Sequence, residues 1–266
     1  MNTTKAQIVA TIGLASKEKS TIKEMVLNGM DIMRLNFSWG TYEEHKNYIQ
    51  NFREIGLELN KDVKIIQDLS GPRMQNEEGH QYNNDAITLI TEKDIKDLAF
   101  GIENNVDYVA MSYVGDKDDV LKLRAEMEKL GKVLPIIAKI ERKIAYINID
   151  EIIEHASGIM IARGDLGNEV PLEQIPFIEK DIINRCKKMN KPVIVATQMM
   201  LSMTQNPLPT RAEVTDVAYA IVCGADAVML SEESAKGEYP AEAVNMMHKI
   251  ILESEKNALN IKINNF

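Results

Sequence analysis

The chain has 266 residues, of which 45% are hydrophobic and 27% charged, a composition typical of folded globular proteins rather than disordered ones. The formal net charge of −9 and the lack of a basic stripe to neutralise phosphates argue against a nucleic-acid partner. The only two cysteines, Cys186 and Cys223, lack CxxC spacing, and no apolar run approaches the roughly 18 residues of a membrane span. We therefore expect a cytoplasmic protein without disulfides, zinc or a membrane anchor.

Short runs rich in Val, Ile, Ala and Met alternate with longer amphipathic segments, a pattern typical of parallel strands covered by crossover helices. The predicted strands are IVATIG (8–13), IMRLNFS (32–38), VKIIQDL (63–69), YVAMSYV (108–114), LPIIAKI (134–140), GIMIARG (158–164), PVIVATQ (192–198) and AVMLSEE (227–233). The predicted helices follow them at 18–29, 41–60, 92–104, 116–131, 143–155, 171–190, 211–223 and 240–257. Eight such units predict an α/β fold, a (β/α)8 TIM barrel that forms a single domain over 1–266.

Several helix starts carry a local signal. Thr41 with Glu44 and Thr210 with Glu213 have capping-box spacing, and Asp116 and Pro240 suit the first positions of a helix. The least organised stretch, about 71–90, lies between the third strand and its helix, and we expect a short loop there.

Polar residues are concentrated at the ends of the predicted strands, where the active site of a TIM barrel lies. Arg34, Asn36 and Ser38 alternate along the second strand and should share one face. Other residues with such strand-end positions are Asp68, Lys139 with Glu141, Arg163 with Asp165, and Thr197. Any one of them could be a satisfied structural residue, but a ring supplied by five strands favours metal-assisted chemistry on an anionic substrate.

At these residues the sequence resembles the pyruvate kinase family. RLNFSWG (34–40) resembles the family's RxNFSHG, QDLSGP (67–72) its DTKGP, and IAKIE (137–141) its lysine strand. The resemblance continues, in order, through IARGDLGNEVP (161–171), KPVIVATQM (191–199), PTRAE (209–213) and MLSEESAKGEYPAEAV (229–244). Seven ordered segments are far more specific than a lone glycine motif.

The resemblance implies two cation sites. Glu141 and Asp165 would ligate Mg²⁺ or Mn²⁺, a hard cation that prefers oxygen ligands. The family's K⁺ ligands match Asn36, Ser38, Asp68 and the backbone carbonyl of Leu69.

The resemblance also implies a site for phosphoenolpyruvate or pyruvate. Lys139 matches the family's catalytic lysine, and Arg34 would neutralise phosphate oxygens. The amides of Gly164 and Asp165, ahead of a helix expected near Pro171, would hold the substrate carboxylate. Thr197 would complete that cradle and assist proton delivery.

The sequence departs from the family where ADP would bind. We expect the short loop at about 73–90 to replace the family's lid domain after strand three, and we expect no counterpart of the family's C-terminal effector domain. The individual changes on this side are Trp39 for a histidine, Ser70 for a lysine, Arg73 for an acidic residue, Gln75 for a phosphate-binding arginine, and Glu232 for a glycine.

Three functions are therefore compatible with the sequence. The first is a lidless, pyruvate kinase-like phosphotransferase, a cytoplasmic glycolytic type of enzyme that uses ADP or another acceptor. The second is a metal-dependent lyase, an aldolase or decarboxylase, that acts through the enolate of pyruvate without a nucleotide. The third is a non-catalytic protein that binds phosphoenolpyruvate or pyruvate. Exposed barrel helices are compatible with a homodimer in each case.

Overall fold

The computed structural model describes residues 4–76, 79–82, 88–258 and 264. Its strands are β1 (Gln7–Thr11), β2 (Ile32–Asn36), β3 (Lys64–Asp68), β4 (Arg73–Asn76), β5 (Gly79–Tyr82), β6 (Tyr108–Met111), β7 (Ile136–Ile140), β8 (Gly158–Ala162), β9 (Val193–Ala196) and β10 (Ala227–Leu230). Eight parallel strands close in the order β1-β10-β9-β8-β7-β6-β3-β2. The predicted (β/α)8 barrel is thus confirmed.

The helices that surround the barrel are α1 (Lys19–Leu27), α2 (Tyr42–Leu59), α3 (Glu92–Glu103), α4 (Lys117–Lys129), α5 (Lys143–Ile147), α6 (Ile149–His155), α7 (Arg163–Leu166), α8 (Ile175–Lys188), α9 (Arg211–Cys223), α10 (Glu232–Ala235) and α11 (Pro240–Asn257). The predicted capping boxes at Thr41 and Thr210 are both present, and the Asp116 carboxylate caps α4. Two predicted helices are divided: that of 143–155 breaks at Asn148, and that of 171–190 begins with a 3-10 turn at Leu172–Gln174.

The apolar core has two layers. The larger one lies between the outer faces of the strands and the helices. The smaller one fills the barrel with side chains contributed by the strands, such as Val9, Ile32, Ile66, Ala110 and Ile137. The barrel is therefore packed rather than open, as TIM barrels are.

The stretch after β3 is not simply the loop that the sequence predicts. β4 and β5 pair as an antiparallel hairpin, in which Arg73 is opposite Tyr82 and Asn76 is opposite Gly79. Residues 77–78 and 83–87 lie outside the described part of the chain.

Cys186 and Cys223 are both free thiols. Among the helices in the described ranges, none is long and apolar enough to cross a membrane.

Candidate active site

The inward-facing side chains of the strands change from apolar to polar at the C-terminal end of the barrel, which we call the barrel mouth. Because side chains in a strand alternate, the residue two positions after an inward apolar side chain also faces inward. In five strands this next residue is polar and buried, at the C-terminal end of the barrel. These pairs are Val9 and Thr11, Ile32 and Arg34, Ile66 and Asp68, Ala110 and Ser112, and Ile137 and Lys139.

Asp68 joins the two cations of this mouth. Its Oδ2 accepts a hydrogen bond from Arg34 Nε at 2.7 Å, and its Oδ1 accepts one from Lys139 Nζ at 3.0 Å. Burial alone would raise the pKa of the Asp68 carboxyl, but the charges of Lys139 and Arg34 outweigh burial and hold that pKa below its ordinary value. Asp68 is therefore ionised and holds both cations in place.

Two hydroxyls, which the sequence had not singled out, orient these cations. The Ser112 hydroxyl accepts from Lys139 Nζ at 2.7 Å and donates to the Leu69 carbonyl at 2.7 Å. The Thr11 hydroxyl likewise accepts from Arg34 at 2.9 Å and donates to the Leu230 carbonyl at 2.9 Å. Because each hydroxyl proton is committed to a carbonyl, its lone pair is directed at the cation.

Glu141 lies beside Lys139 at the end of β7. Its Oε2 accepts from the Tyr113 amide at 2.6 Å, while Oε1 lies 2.9 Å from Lys139 Nζ without accepting a well-formed hydrogen bond. Burial raises the pKa of Glu141, and the nearby charge of Asp165 raises it further against the opposing charge of Lys139. The two carboxylates proposed as metal ligands thus act on each other electrostatically.

Lys139 remains a cation in this setting. Burial on its own would lower the pKa of its ammonium, but Asp68 and Glu141 together raise that pKa above the ordinary value. The Lys139 side chain is only 4% exposed, so its charge acts in a site from which most water is excluded.

The four expected K⁺ ligands come from β2 and the end of β3. The Ser38 hydroxyl is buried and has no hydrogen-bond partner, while Asn36 Oδ1 accepts from the Ser38 amide at 3.1 Å. The Leu69 carbonyl already accepts from Ser112, and both Asp68 oxygens accept from cations. Each of these oxygens keeps a further lone pair.

Backbone strain marks two strand ends at the mouth. Thr197 and Gln198 have φ values of 72° and 54°, and Tyr113 after β6 has a φ of 59°. A left-handed backbone is uncommon for bulky and β-branched residues and is found mainly where function requires it. The Thr197 hydroxyl accepts from the Gly164 amide at 2.7 Å, so these two predicted site residues are in direct contact.

The predicted pairing of Arg163 with Asp165 on one strand face is wrong. β8 ends at Ala162, and residues 163–166 form the helical turn α7, in which positions two apart do not face the same side. Arg163 instead points toward the outer helices, where it binds Asp216 at 2.6 Å and 2.7 Å and Glu179 at 3.2 Å. The helix expected near Pro171 is present and begins with the 3-10 turn at Leu172–Gln174, but Gly164 and Asp165 lie within the additional short helix α7 rather than in a loop ahead of it.

The residues that depart from the family lie on one side of the mouth. Trp39 is 51% exposed, and Glu232 pairs with Lys236 on the surface of α10. Ser70 is buried, with its hydroxyl 3.4 Å from the ammonium of Lys93. The side chain of Gln75 lies outside the described residues.

Within the described part of the chain, no three or more His, Cys, Asp or Glu side chains are grouped as a metal site. A divalent cation here would therefore have two carboxylates of the protein, with water or substrate oxygens as its other ligands.

Comparison with known proteins identifies the family. The sequence profile of the pyruvate kinase barrel domain matches residues 3–90 and 76–244, two segments that overlap at 76–90. The pyruvate kinase of Thermococcus litoralis is 38% identical over 332 positions, covering 95% of this chain and 70% of that relative. Those of Bacillus licheniformis and Geobacillus stearothermophilus are each 36% identical, over 97% and 95% of this chain.

The chain spans 58% and 57% of the length of these last two relatives. The Thermococcus alignment, at 332 positions, is longer than this 266-residue chain, so the relative has residues without a counterpart here. A profile match over most of the chain and identities above one third, on a closed (β/α)8 barrel, show that the chain belongs to the pyruvate kinase family.

Proposed function

We propose that the protein is a pyruvate kinase-like phosphotransferase that binds phosphoenolpyruvate or pyruvate at the barrel mouth. One observation carries this proposal: the buried Arg34 and Lys139 are held by one carboxylate, Asp68, at the C-terminal end of the strands. Two fixed cations in a site with little water suit a substrate that carries both a phosphoryl and a carboxylate group.

In this proposal Lys139 is the catalytic lysine. Its ammonium stabilises the negative charge that develops on the enolate oxygen and on the transferring phosphoryl group. Arg34 binds phosphoryl oxygens, and the amides of Gly164 and Asp165 hold the substrate carboxylate, which then shares or replaces the Thr197 hydroxyl as the acceptor of the Gly164 amide. Thr197 delivers the proton, because its hydroxyl lies next to this carboxylate position and its oxygen, not its proton, is engaged by Gly164.

The residues at the mouth fit the two cations that the family resemblance implies. Glu141 Oε1 is buried, with the Lys139 ammonium 2.9 Å away but no well-formed hydrogen bond, and the charge of Asp165 acts on the same carboxyl. A divalent cation between the two carboxylates would offset their repulsion. Such a cation supplies charge neutralisation at the substrate oxygens. The orphaned hydroxyl of Ser38 equally fits K⁺, together with Asn36, Asp68 and the Leu69 carbonyl.

We further propose that the whole chain is one barrel domain in which the β4–β5 hairpin takes the place of the lid. The two segments that match the family profile overlap at 76–90, a range that includes most of this hairpin, which supports the assignment. The changes at Trp39 and Glu232 affect the side where ADP would bind. The proposal therefore leaves the phosphoryl acceptor open, as ADP or another molecule.

The test follows two reactions with the purified protein, Mg²⁺ and K⁺ present. Pyruvate release from phosphoenolpyruvate is measured with and without ADP, and exchange of the methyl protons of pyruvate is measured without nucleotide. Release that depends on an acceptor is the expected result. Proton exchange without any phosphoryl transfer would instead favour the lyase, and binding of oxalate without either reaction would favour the non-catalytic protein.

A further inference from the structure

Arg73 is a cation beside the barrel mouth, and the buried ion pairs that the described residues form there do not include it. It begins β4, five residues after β3 ends at Asp68, and its guanidinium carbon lies 6.0 Å from the centre of the Tyr113 ring. The Tyr113 amide donates to Glu141 Oε2 at 2.6 Å, so Arg73 faces the residue that flanks the Lys139–Glu141 pair.

The guanidinium of Arg73 is incompletely satisfied. Its Nε is buried and has no hydrogen-bond partner. The guanidinium contacts Tyr113 through a cation–π interaction with the ring and also interacts with its side chain, so Nε is the donor that remains for a ligand. A buried donor without a partner costs about 1–3 kcal/mol, so its presence at a site calls for a ligand.

Arg73 is also close enough to the mouth to act on its chemistry. Its positive charge opposes the carboxylates that raise the pKa of Lys139, and it opposes the burial that raises the pKa of Tyr113 to about 12. An anion bound beside Lys139 would therefore lie in the field of a third cation as well as those of Arg34 and Lys139.

We propose that Arg73 binds the phosphate group of the ligand in the barrel mouth. A guanidinium recognises phosphate through two parallel N–H donors, and Arg73 has an unengaged Nε for this purpose. The proposal rests on the proposed function for the identity of the ligand, phosphoenolpyruvate, but the anion-binding chemistry belongs to Arg73 alone.

Arg73 could supply the positive charge that is missing at position 75, where Gln75 stands in place of the family's phosphate-binding arginine. Positions 73 and 75 are two residues apart on β4, and such positions share one face of a strand. Arg73 thus places a guanidinium on the same strand face as position 75, two residues earlier in the chain and therefore closer to β3.

The experiment compares the intact protein with Arg73→Gln and Arg73→Lys by calorimetric titration in the presence of Mg²⁺ and K⁺. The probes are phosphoenolpyruvate, inorganic phosphate and oxalate, which carries carboxylates but no phosphate. The matched control is Arg142→Gln, because Arg142 also contacts Tyr113, through the carbonyl at 3.4 Å. Thermal unfolding followed by circular dichroism verifies that each variant is folded.

We expect Arg73→Gln to weaken phosphoenolpyruvate and phosphate binding at least tenfold and oxalate binding less than twofold. Arg73→Lys should lose less, because it keeps the charge but not the planar donors. Unchanged phosphate binding, an equal loss for oxalate, or an equal loss in Arg142→Gln would each overturn the proposal. Wild-type protein that binds phosphate through Arg73 but not phosphoenolpyruvate would refute the proposed function and keep this inference, whereas wild-type protein that binds neither anion would overturn both.

Discussion

Lys139 and Asp68 form a buried ion pair across the barrel mouth, with 3.0 Å between Nζ and Oδ1 and exposures of 4% and 1% for the two side chains. Breaking a buried pair of this kind by removing one partner is costly, about 3–5 kcal/mol. Here the remaining Asp68 keeps its bond to Arg34 at 2.7 Å, so the loss is partly offset. Because of this offset, a Lys139 variant should remain folded, and its effect on turnover can be measured separately from its effect on stability.

The first prediction concerns the charge of Lys139. We expect Lys139→Met to lower turnover by a factor on the order of 10² to 10³, comparable to the loss of an oxyanion donor, because the ammonium acts most strongly on charge that develops in the transition state. Steady-state kinetics in whichever assay the wild type passes measures this, with Mn²⁺ binding expected to persist.

A suitable control for Lys139→Met is Lys187→Met, which removes the partner of the buried Asp226 just before β10 begins, at the opposite end of the barrel. This control should lower the unfolding temperature without a comparable loss of turnover. Near-normal turnover in Lys139→Met would make Lys139 a structural residue of the barrel.

The second prediction concerns the Ser112 hydroxyl, a positioning group for Lys139. Ser112→Ala removes the acceptor 2.7 Å from Nζ, a hydrogen bond worth about 1 kcal/mol, so we expect kcat to fall roughly fivefold with little change in KM. Ser234→Ala is the matched control, because the buried Ser234 hydroxyl also donates to a backbone carbonyl, that of Thr11, at 2.8 Å. Equal losses in both variants would assign Ser112 a purely structural role.

The third prediction concerns the divalent cation. Glu141→Gln and Asp165→Asn should each weaken Mn²⁺ binding about tenfold or more, because carboxylate charge sets the affinity of such sites. Isothermal titration calorimetry measures the effect, with Glu233→Gln as a buried carboxylate control that accepts from the amides of Met200 and Ser231. Unchanged Mn²⁺ affinity in both site variants would refute the metal assignment.

The fourth prediction concerns the nucleotide. We expect ADP to bind with a dissociation constant of about 1 mM or weaker, equivalent to about 4 kcal/mol, because the departures at Trp39, Gln75 and Glu232 alter the family's ADP side. Titration of the Mg²⁺-loaded protein with ADP, followed by the fluorescence of Trp39, the single tryptophan, measures this. A low-micromolar constant would restore an ordinary kinase with ADP as acceptor.

The sequence predicted the barrel because buried parallel strands have an apolar periodicity that local composition reveals. It did not reveal where β8 ends: Arg163 and Asp165 read as strand residues, but the chain turns into α7 at Arg163. The β4–β5 hairpin was missed because strands of four residues carry too little periodicity to be distinguished from a loop.

Within the candidate site, charged residues could be found from strand ends and from the family resemblance, whereas Thr11 and Ser112 could not. A lone hydroxyl residue has no motif, and its role depends on a cation that another strand supplies, as Arg34 does for Thr11. One signal was nonetheless present: each residue lies two positions after an inward apolar residue, Val9 or Ala110.

The fifth prediction concerns Glu179 of α8, a buried carboxyl outside the mouth. Its side chain is 1% exposed and lies 3.2 Å from Arg163, whose guanidinium is mainly engaged by Asp216. Burial raises the pKa of Glu179 to about 7, against the opposing charge of Arg163. In the unfolded chain this carboxyl has an ordinary pKa of about 4.3.

Folding therefore takes up a proton at Glu179 between about pH 4 and pH 7, and stability must fall as the pH rises through this window. From pH 5 to pH 8 the linkage amounts to about 2.5 kcal/mol in the free energy of unfolding. Glu179→Gln keeps the size of the side chain and removes its titration, so its stability relative to the wild type should increase by about that amount across the same range. Chemical denaturation at pH 5 and pH 8 measures the difference, with the exposed Glu173→Gln as control. A constant difference between Glu179→Gln and the wild type would show that Glu179 is ionised in the folded protein throughout and that Arg163 neutralises it.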